Sequence, residues 1–313
     1  MTPLAELLRD EIRRGGPVSF HRFMEAALYH PEHGYYRRPH DPFGRQGDFY
    51  TAAQLQPVYG ILMGERIRSL WRDLGSPPGF EIVELGAGRG EMAEAFRDLP
   101  YVPVDVGCGA FPEKFWGVVF SNEFFDALPV HRVVWRDRSA VEARVGWAGE
   151  RFVWVDGEPV SNEVAAYIER YLPGERRSAE VNLEARRWVE RITRSLERGY
   201  VFTVDYGYTS AESIRFPDGT LMSYRRHAAT GDVLADPGER DITAHVCFTA
   251  LEGPGLETVR FESLARTLLD AAQADQFAAA LAGDDAGRRR LLLKTLLVGM
   301  GETFRVLIQR RAQ

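Results

Sequence analysis

The chain has 313 residues, 45% of them hydrophobic and 27% charged, with a net charge of −6. That length suits one large α/β domain or two smaller ones, and the acid excess gives no support to a nucleic-acid partner held by overall charge. Two cysteines, Cys108 and Cys247, exclude a disulfide framework or a cysteine-rich zinc cluster. Among 39 basic residues only Lys114 and Lys294 are lysines, which reads as the codon bias of a GC-rich genome or as an arginine-lined phosphate site.

The first twenty residues read as an amphipathic helix with Leu4, Leu7, Leu8 and Ile12 on one face. They hold no signal-peptide apolar core, and Glu6, Asp10 and Glu11 argue against a transit peptide. No apolar run approaches the roughly 18 residues of a membrane span. With so few cysteines, the expected compartment is the reducing cytoplasm. A second helix, "SFHRFMEAALYH", starts at a capping Ser19. "PEHGYYRRPHDPFGRQGDFYT" is a long loop of the kind that often carries function. "AAQLQPVYGILMGERIRSLWRDL" returns to helix, and "GSPPG" marks a boundary.

"FEIVELGAGRGEMAEAFRDL" then reads as strand, glycine turn and helix. "YVPVDVG" and "WGVVFSNE" are further buried strands, and residues 131–160 alternate as antiparallel strands. "SNEVAAYIERYL" and "NLEARRWVERITRSLERG" predict helices, the second ended by Gly199. "YVFTVDYGY" is a buried strand, 211–250 mostly irregular, "FESLARTLLDAAQADQFAAAL" and "AGRRRLLLKTLLVGM" helical, and "ETFRVLIQR" a closing strand. Cys108 and Cys247 read as buried apolar fillers. His245 is either a core histidine or a partner that orients Asp241. Strands alternating with helices predict an α/β fold with a mostly parallel sheet covered on both faces, and ligands outside the carboxyl ends of its strands.

"ELGAGRG" places Gly86, Gly88 and Gly90 at the first strand-to-helix turn, and Asp105 ends the next strand about 20 residues on, where an acid accepts ribose hydroxyls. The spacing G-x-G-x-G differs from the dinucleotide pattern G-x-G-x-x-G, which disfavours a nicotinamide-dependent oxidoreductase. Glu84 just before the turn suits a cationic ligand better than a pyrophosphate. S-adenosylmethionine, with its ammonium and sulfonium, fits that description, and the turn looks like motif I of the class I methyltransferases.

"FMEAALYHPEHGYY", "DPFGRQGDFYTA", "ELGAGRG", "SNEFFDALPV", "VDYGY", "GTLMSYRRH", "DPGERDITAHVCFTAL" and "MGETFRVL" together resemble, in order, the blocks of the MidA-like methyltransferase family. The match runs from about residue 4 to about residue 308. The family includes the mitochondrial complex I assembly-factor arginine methyltransferase. The resemblance implies a class I methyltransferase (Rossmann-like) fold with additions and S-adenosylmethionine as donor. For the mitochondrial member it implies dimethylation of an arginine on a complex I subunit. Three departures stand out. The segment from Asp105 to Asn122 is short by about one βα unit, on the side of the sheet that normally covers the adenine. Gln54, after Ala53, stands where the family has glutamate, and Cys247 where it has aspartate.

Methyl transfer to a guanidinium needs carboxylates to grip its planar fork, since the group stays protonated with a pKa above about 12. Glu123 and Asp126 are the best-placed acids, with Asp48 as a second wall. Glu84, Gly86, Gly88, Gly90, Asp105 and Asn122 are the candidates for holding the donor. Phe124 or Phe125 would stack on the guanidinium, and Asp205 and Tyr206 would line the substrate. The structural alternatives remain: Asn122 or Asp126 capping a turn, Asp48 bracing its loop, the phenylalanines in the core. The expected organisation is an N-terminal helical region with a site loop (1–77), a methyltransferase core (78–135, 160–210 and 255–313) and insertions forming a substrate cap (136–159 and 211–254). Two functional readings follow, a protein-arginine methyltransferase acting on a partner protein such as a complex I subunit, or a catalytically degenerate assembly or binding factor.

Overall fold

A computed structural model describes residues 1–38, 48, 51–137, 139–271, 274–283 and 285–311. In chain order its elements are α1 (Pro3–Gly15), β1 (Val18–Ser19), α2 (Phe20–Tyr29), α3 (Val58–Asp73), β2 (Phe80–Leu85), β3 (Tyr101–Val104) and β4 (Phe115–Asn122). Then come β5 (His131–Arg136), β6 (Ser139–Ala148), β7 (Arg151–Pro159), α4 (Asn162–Tyr171), β8 (Ser178–Val181), α5 (Leu183–Ser195) and β9 (Leu196–Tyr208). The rest are β10 (Met222–Arg225), β11 (Ala228–Thr230), β12 (Asp241–Thr243), β13 (Val246–Cys247), β14 (Leu256–Ser263), α6 (Leu264–Ala271), α7 (Ala274–Leu281), α8 (Ala286–Lys294), α9 (Gly301–Thr303) and β15 (Phe304–Arg311). Much of the long loop expected over 31–51 lies outside the described residues. Contacts divide the chain into two compact units: 1–50, 125–188 and 208–251 form the first, and 51–124, 189–207 and 252–313 the second.

The first unit is built on an antiparallel sheet ordered β1-β6-β5-β8, with β7 also on β6. The Ser19 hydroxyl accepts the Arg22 amide and so starts α2 as its sequence predicts. Leu4, Leu8 and Ile12 of α1 and Phe20, Phe23 and Met24 of α2 pack with Val130, Val145 and Ile242. Leu7, expected on the same face of α1, is instead 48% exposed. A second core joins Val164, Tyr167 and Tyr171 of α4 to Val133, Ala179 and Val181. The 211–250 region, expected to be mostly irregular, contains a small sheet ordered β11-β10-β12. Its strands are only three or four residues long, too short to leave a period in the sequence.

The second unit holds the sheet ordered β14-β15-β9-β4-β2-β3. β3, β2, β4 and β9 are mutually parallel, while β15 runs antiparallel to both β9 and β14. One face packs Ile82, Val118, Phe120, Phe202 and Val204 against Tyr59, Leu62, Met63 and Ile67 of α3. Each such aliphatic or aromatic side chain contributes about 1.5–3 kcal/mol on burial. Val83, Leu85, Val119 and Leu307 are buried as well, so these strands read as near-continuous apolar runs rather than alternating ones. Between Val104 and Phe115 there is no helix and no further long strand, in keeping with the shortened segment.

Two local expectations are corrected. The helix predicted after the glycine turn is a succession of turns over 87–99, closed by bonds such as Gly90 N–H to Ala87 O (2.8 Å) and Phe96 N–H to Met92 O (3.2 Å). Positive φ at Gly86, Gly88 and Gly90 delays any helix past residue 90, and Pro100 follows too soon for a stable one. Gly199 is not a helix cap but lies inside β9, opposite Gly117 of β4. A Cβ on Gly199 would stand 1.8 Å from the Gly117 oxygen, and one on Gly117 would stand 1.9 Å from the Glu81 oxygen. Gly117→Ala should therefore cost about 3 kcal/mol, the upper range for overpacking, read in urea denaturation as a lower midpoint with unchanged slope.

Candidate functional site

Because β2, β3, β4 and β9 are parallel, their carboxyl ends gather on one edge of the second unit's sheet. The glycine turn follows β2. Gly86 N–H donates to the Val104 carbonyl at 2.9 Å, tying the turn to the end of β3. Gly86, Gly88 and Gly90 take φ of 68°, 55° and 77°, values that glycine adopts without steric cost. Phe124 lies on this turn, and a Cβ on Gly86 would approach its ring to 3.0 Å.

Asp105 braces the turn from the next strand end. Its carboxylate accepts the Gly88 N–H at 2.5 Å and the Val106 N–H at 2.5 Å. A carboxylate has about four lone-pair directions, so acceptor capacity for a ribose remains. The backbone of Asp105 and Cys108 pairs in both directions, at 3.0 and 3.2 Å, closing a tight turn where a βα unit would stand. Gly109 lies so close along β3 that a Cβ there would meet the Pro103 oxygen at 1.9 Å. Cys108, expected as a buried filler, is exposed on this turn, while Cys247 is buried.

Glu84, at the end of β2, is buried, and the Tyr101 hydroxyl donates to its carboxylate at 2.5 Å. Burial pushes the Glu84 carboxyl up to about 8, only partly opposed by that hydrogen bond. Asn122, the last residue of β4, accepts from the Tyr59 hydroxyl at 2.7 Å and donates to Glu123 at 3.0 Å. Glu123 takes φ of 53°, the left-handed region that non-glycine residues rarely enter. Its N–H donates to the Val204 carbonyl at 2.9 Å, and its carboxylate also accepts the Ala52 N–H at 3.1 Å. The Gln54 side chain accepts the Thr51 N–H, capping the 3-10 turn that presents Ala52. Asp205 is fully buried, accepting the Tyr206 N–H at 2.9 Å, and Tyr206 packs edge-on against Phe304.

A second group of acids belongs to the first unit. Asp48 accepts from the Tyr35 hydroxyl at 2.8 Å and the Arg226 N–H at 2.6 Å. Asp241 accepts from the Tyr36 hydroxyl at 2.9 Å and the Ile242 N–H at 3.0 Å. The Asp126 carbonyl accepts the Ala244 N–H at 3.0 Å, and its side chain is buried. Burial foremost, then the charges of Asp126 and Asp48, push the Asp241 carboxyl up to about 7. Phe125 is buried, and its carbonyl accepts from the Asn182 side chain at 3.0 Å. His245 is packed against Phe216, and burial lowers its pKa.

The structure thus groups the expected residues in two sets. Glu84, the three glycines, Asp105, Asn122, Glu123, Phe124, Asp205 and Tyr206 belong to the second unit, and Asp48, Phe125 and Asp126 to the first. Sequence reasoning missed the tyrosines that hold these acids: Tyr59, Tyr101, Tyr35 and Tyr36. The paired "YY" of "FMEAALYHPEHGYY" was the visible signal for the last two.

The glycine cradle, the buried acid before it and the Asp105 carboxylate at the next strand end form a donor set suited to a cationic nucleoside. Comparisons with known proteins agree. A family model described as "Putative S-adenosyl-L-methionine-dependent methyltransferase" matches residues 108–265. The Drosophila melanogaster "Protein arginine methyltransferase NDUFAF7 homolog, mitochondrial" is 30% identical over an alignment covering 78% of this chain and 68% of that protein. The Mus musculus counterpart is 26% identical, covering 80% and 69%. A Burkholderia thailandensis crystal structure, described as a "likely methyl transferase" bound to S-adenosyl-homocysteine, superposes with a TM-score of 0.88 at 31% identity, covering 98% of this chain and 92% of that one.

Two pH effects follow. Glu84 binds a proton in the folded state up to about pH 8 but in the unfolded chain only to its ordinary value near 4.5. Its ionisation therefore erodes stability as pH rises through that window, whereas a bound cation favours the ionised form. Donor affinity, measured by calorimetry, should rise from pH 6 to pH 9, and Glu84→Gln should flatten the profile and weaken binding about tenfold at pH 9. Asp241 likewise holds a proton to about 7 against 3.8 unfolded, so it too loses stability for the fold as pH rises between these values. Asp241→Asn should raise Tm at pH 8 relative to wild type and bring no such gain at pH 4.

Proposed function

Since the chain belongs to the S-adenosylmethionine-dependent methyltransferase family matched by that model, we propose that the acceptor of its methyl group is an arginine guanidinium on a partner protein. It is a class I methyltransferase that uses S-adenosylmethionine. The observation that carries the acceptor reading is Glu123, an acid held in a left-handed conformation by three backbone and side-chain bonds beside the glycine turn's own sheet edge. Such strain persists where surrounding structure over-determines it, and it clusters at functional sites. The names of the relatives, protein arginine methyltransferases, support the same reading.

Residues of the second unit would hold the donor: the glycine turn along its backbone, Asp105 at the ribose, and Glu84 for positive charge. Bound S-adenosylmethionine supplies an electrophilic methyl group on a sulfonium. Glu123 would accept guanidinium N–H bonds, draw positive charge away from the attacking nitrogen and fix its direction. Alignment is the larger contribution, since a fixed nucleophile and methyl group gain effective molarities of about 10⁵ M and above. Asn122, clamped by Tyr59, keeps the Glu123 carboxylate in place.

The reading extends to a respiratory complex I subunit as the protein substrate, in line with the mitochondrial relatives, and to action in the cytoplasm, where an exposed thiol such as Cys108 stays reduced. Among the described residues no helix is long and apolar enough to cross a membrane.

Transfer from labelled donor to purified complex I subunits, followed by mass spectrometry of the modified residue, tests the proposal. Methylated arginine should appear. Glu123→Gln should lower kcat about 10²- to 10³-fold while donor affinity stays within about threefold. Label on lysine or on a small molecule instead, or donor binding with no protein acceptor, would refute the arginine reading.

A further inference from the structure

The C-terminal helices of the second unit present a ridge that methyl transfer does not use. α8 continues into a π-helical turn over Thr295–Met300. Leu292, Leu293, Leu296, Leu297 and Met300 pack inward on the core that includes α3. Leu291 and Val298 are instead 63% and 67% exposed. Arg288, Arg290 and Lys294, within a turn of Leu291, are exposed as well. Arg289 turns inward and donates to the Ala280 carbonyl at 3.4 Å.

From 286 to 300 the sequence carries these four cations and no carboxylate, in a chain of net charge −6. The nearest acids stand at the two ends. Asp285 caps α8 by accepting the Arg288 N–H at 3.1 Å, and Glu302 follows the π turn. What sets this face apart is that its exposed aliphatic side chains lie in a stretch carrying four cations and no carboxylate. Exposed aliphatic side chains with cations clustered around Leu291, on a helix whose other side is already buried, fit an interfacial arrangement. The apolar tips enter the acyl boundary and the long basic side chains stay among the headgroups.

We propose that the α8 ridge docks reversibly on an anionic lipid bilayer, with Leu291 and Val298 entering the headgroup–acyl boundary and Arg288, Arg290 and Lys294 at the headgroup phosphates. Charge complementarity selects this occupant. Each basic residue near an anionic surface raises partitioning about fivefold, and the attraction fades within a Debye length of about 10 Å at 0.1 M salt.

Co-sedimentation of the full chain with large unilamellar vesicles tests it. At low salt, vesicles of phosphatidylcholine with phosphatidylglycerol should pellet the protein at least about tenfold more than phosphatidylcholine alone, and about 0.5 M salt should remove the difference. R288E/R290E should lower partitioning by about 25-fold or more, and L291S/V298S about tenfold, with near-ultraviolet circular dichroism and donor affinity unchanged. Equal pelleting with both vesicles, or charge reversal without effect, would overturn the proposal. So would loss on charge reversal with no loss in L291S/V298S and equal binding to soluble polyglutamate, which assigns the ridge to an acidic protein. Should a variant misfold, the dependence of the wild type on lipid and salt decides alone.

Discussion

Glu123 leaves β4 with its N–H bonded across to the Val204 carbonyl of β9 and its φ at 53°. A left-handed residue of this kind costs about 1–3 kcal/mol. The surroundings hold it there: Ala52 and Asn122 donate to its carboxylate, and Tyr59 fixes Asn122. This one backbone conformation ends a buried parallel strand within a residue and turns an acid onto the sheet edge. It also directs the chain toward the Phe124–Phe125 link, where the first unit resumes. The motif "NEFFDALPV" therefore spans the point at which the chain passes from the second unit to the first.

The edge of the sheet beyond β3 shows how a shortened segment is accommodated. The tight turn at Asp105–Cys108 and the close approach of Gly109 to Pro103 cover a strand that would otherwise present a bare edge. β3 is only four residues long, and Pro103 removes one donor from it, both common means of blunting an edge. Asp105 then serves two neighbours at once, its own turn and Gly88. The glycine loop is thereby braced by side-chain hydrogen bonding, in place of the first turn of a regular helix.

Most of the second unit's sheet was legible because its strands are apolar runs of the right length, as "FEIVEL" and "FWGVVF" show. The acids at the strand ends were legible because they directly follow those apolar runs. The helix after the glycine turn was misread because its apolar spacing is helical but three positive-φ glycines precede it and Pro100 closes it. Gly199 was misread because a close approach between strands, unlike a helix cap, leaves no local sign. The tyrosine clamps were invisible for a similar reason, since Tyr59 and Asn122 lie 63 positions apart. The division of Asp48 and Asp126 from Glu123 rests on long-range contacts that no local pattern encodes.

The place of β15 in the sheet bears on how the protein is made. It follows β14 and β9 in the chain, yet it lies between them. Until residues 304–311 have left the ribosome, β9 and β14 have no strand to join them, and the apolar β9 waits with one flank open. Such a sheet closes late and through distant partners, which slows folding and prolongs the exposure of sticky edges. The second unit's sheet is thus continuous only once β15 has paired with both of its neighbours, β9 and β14.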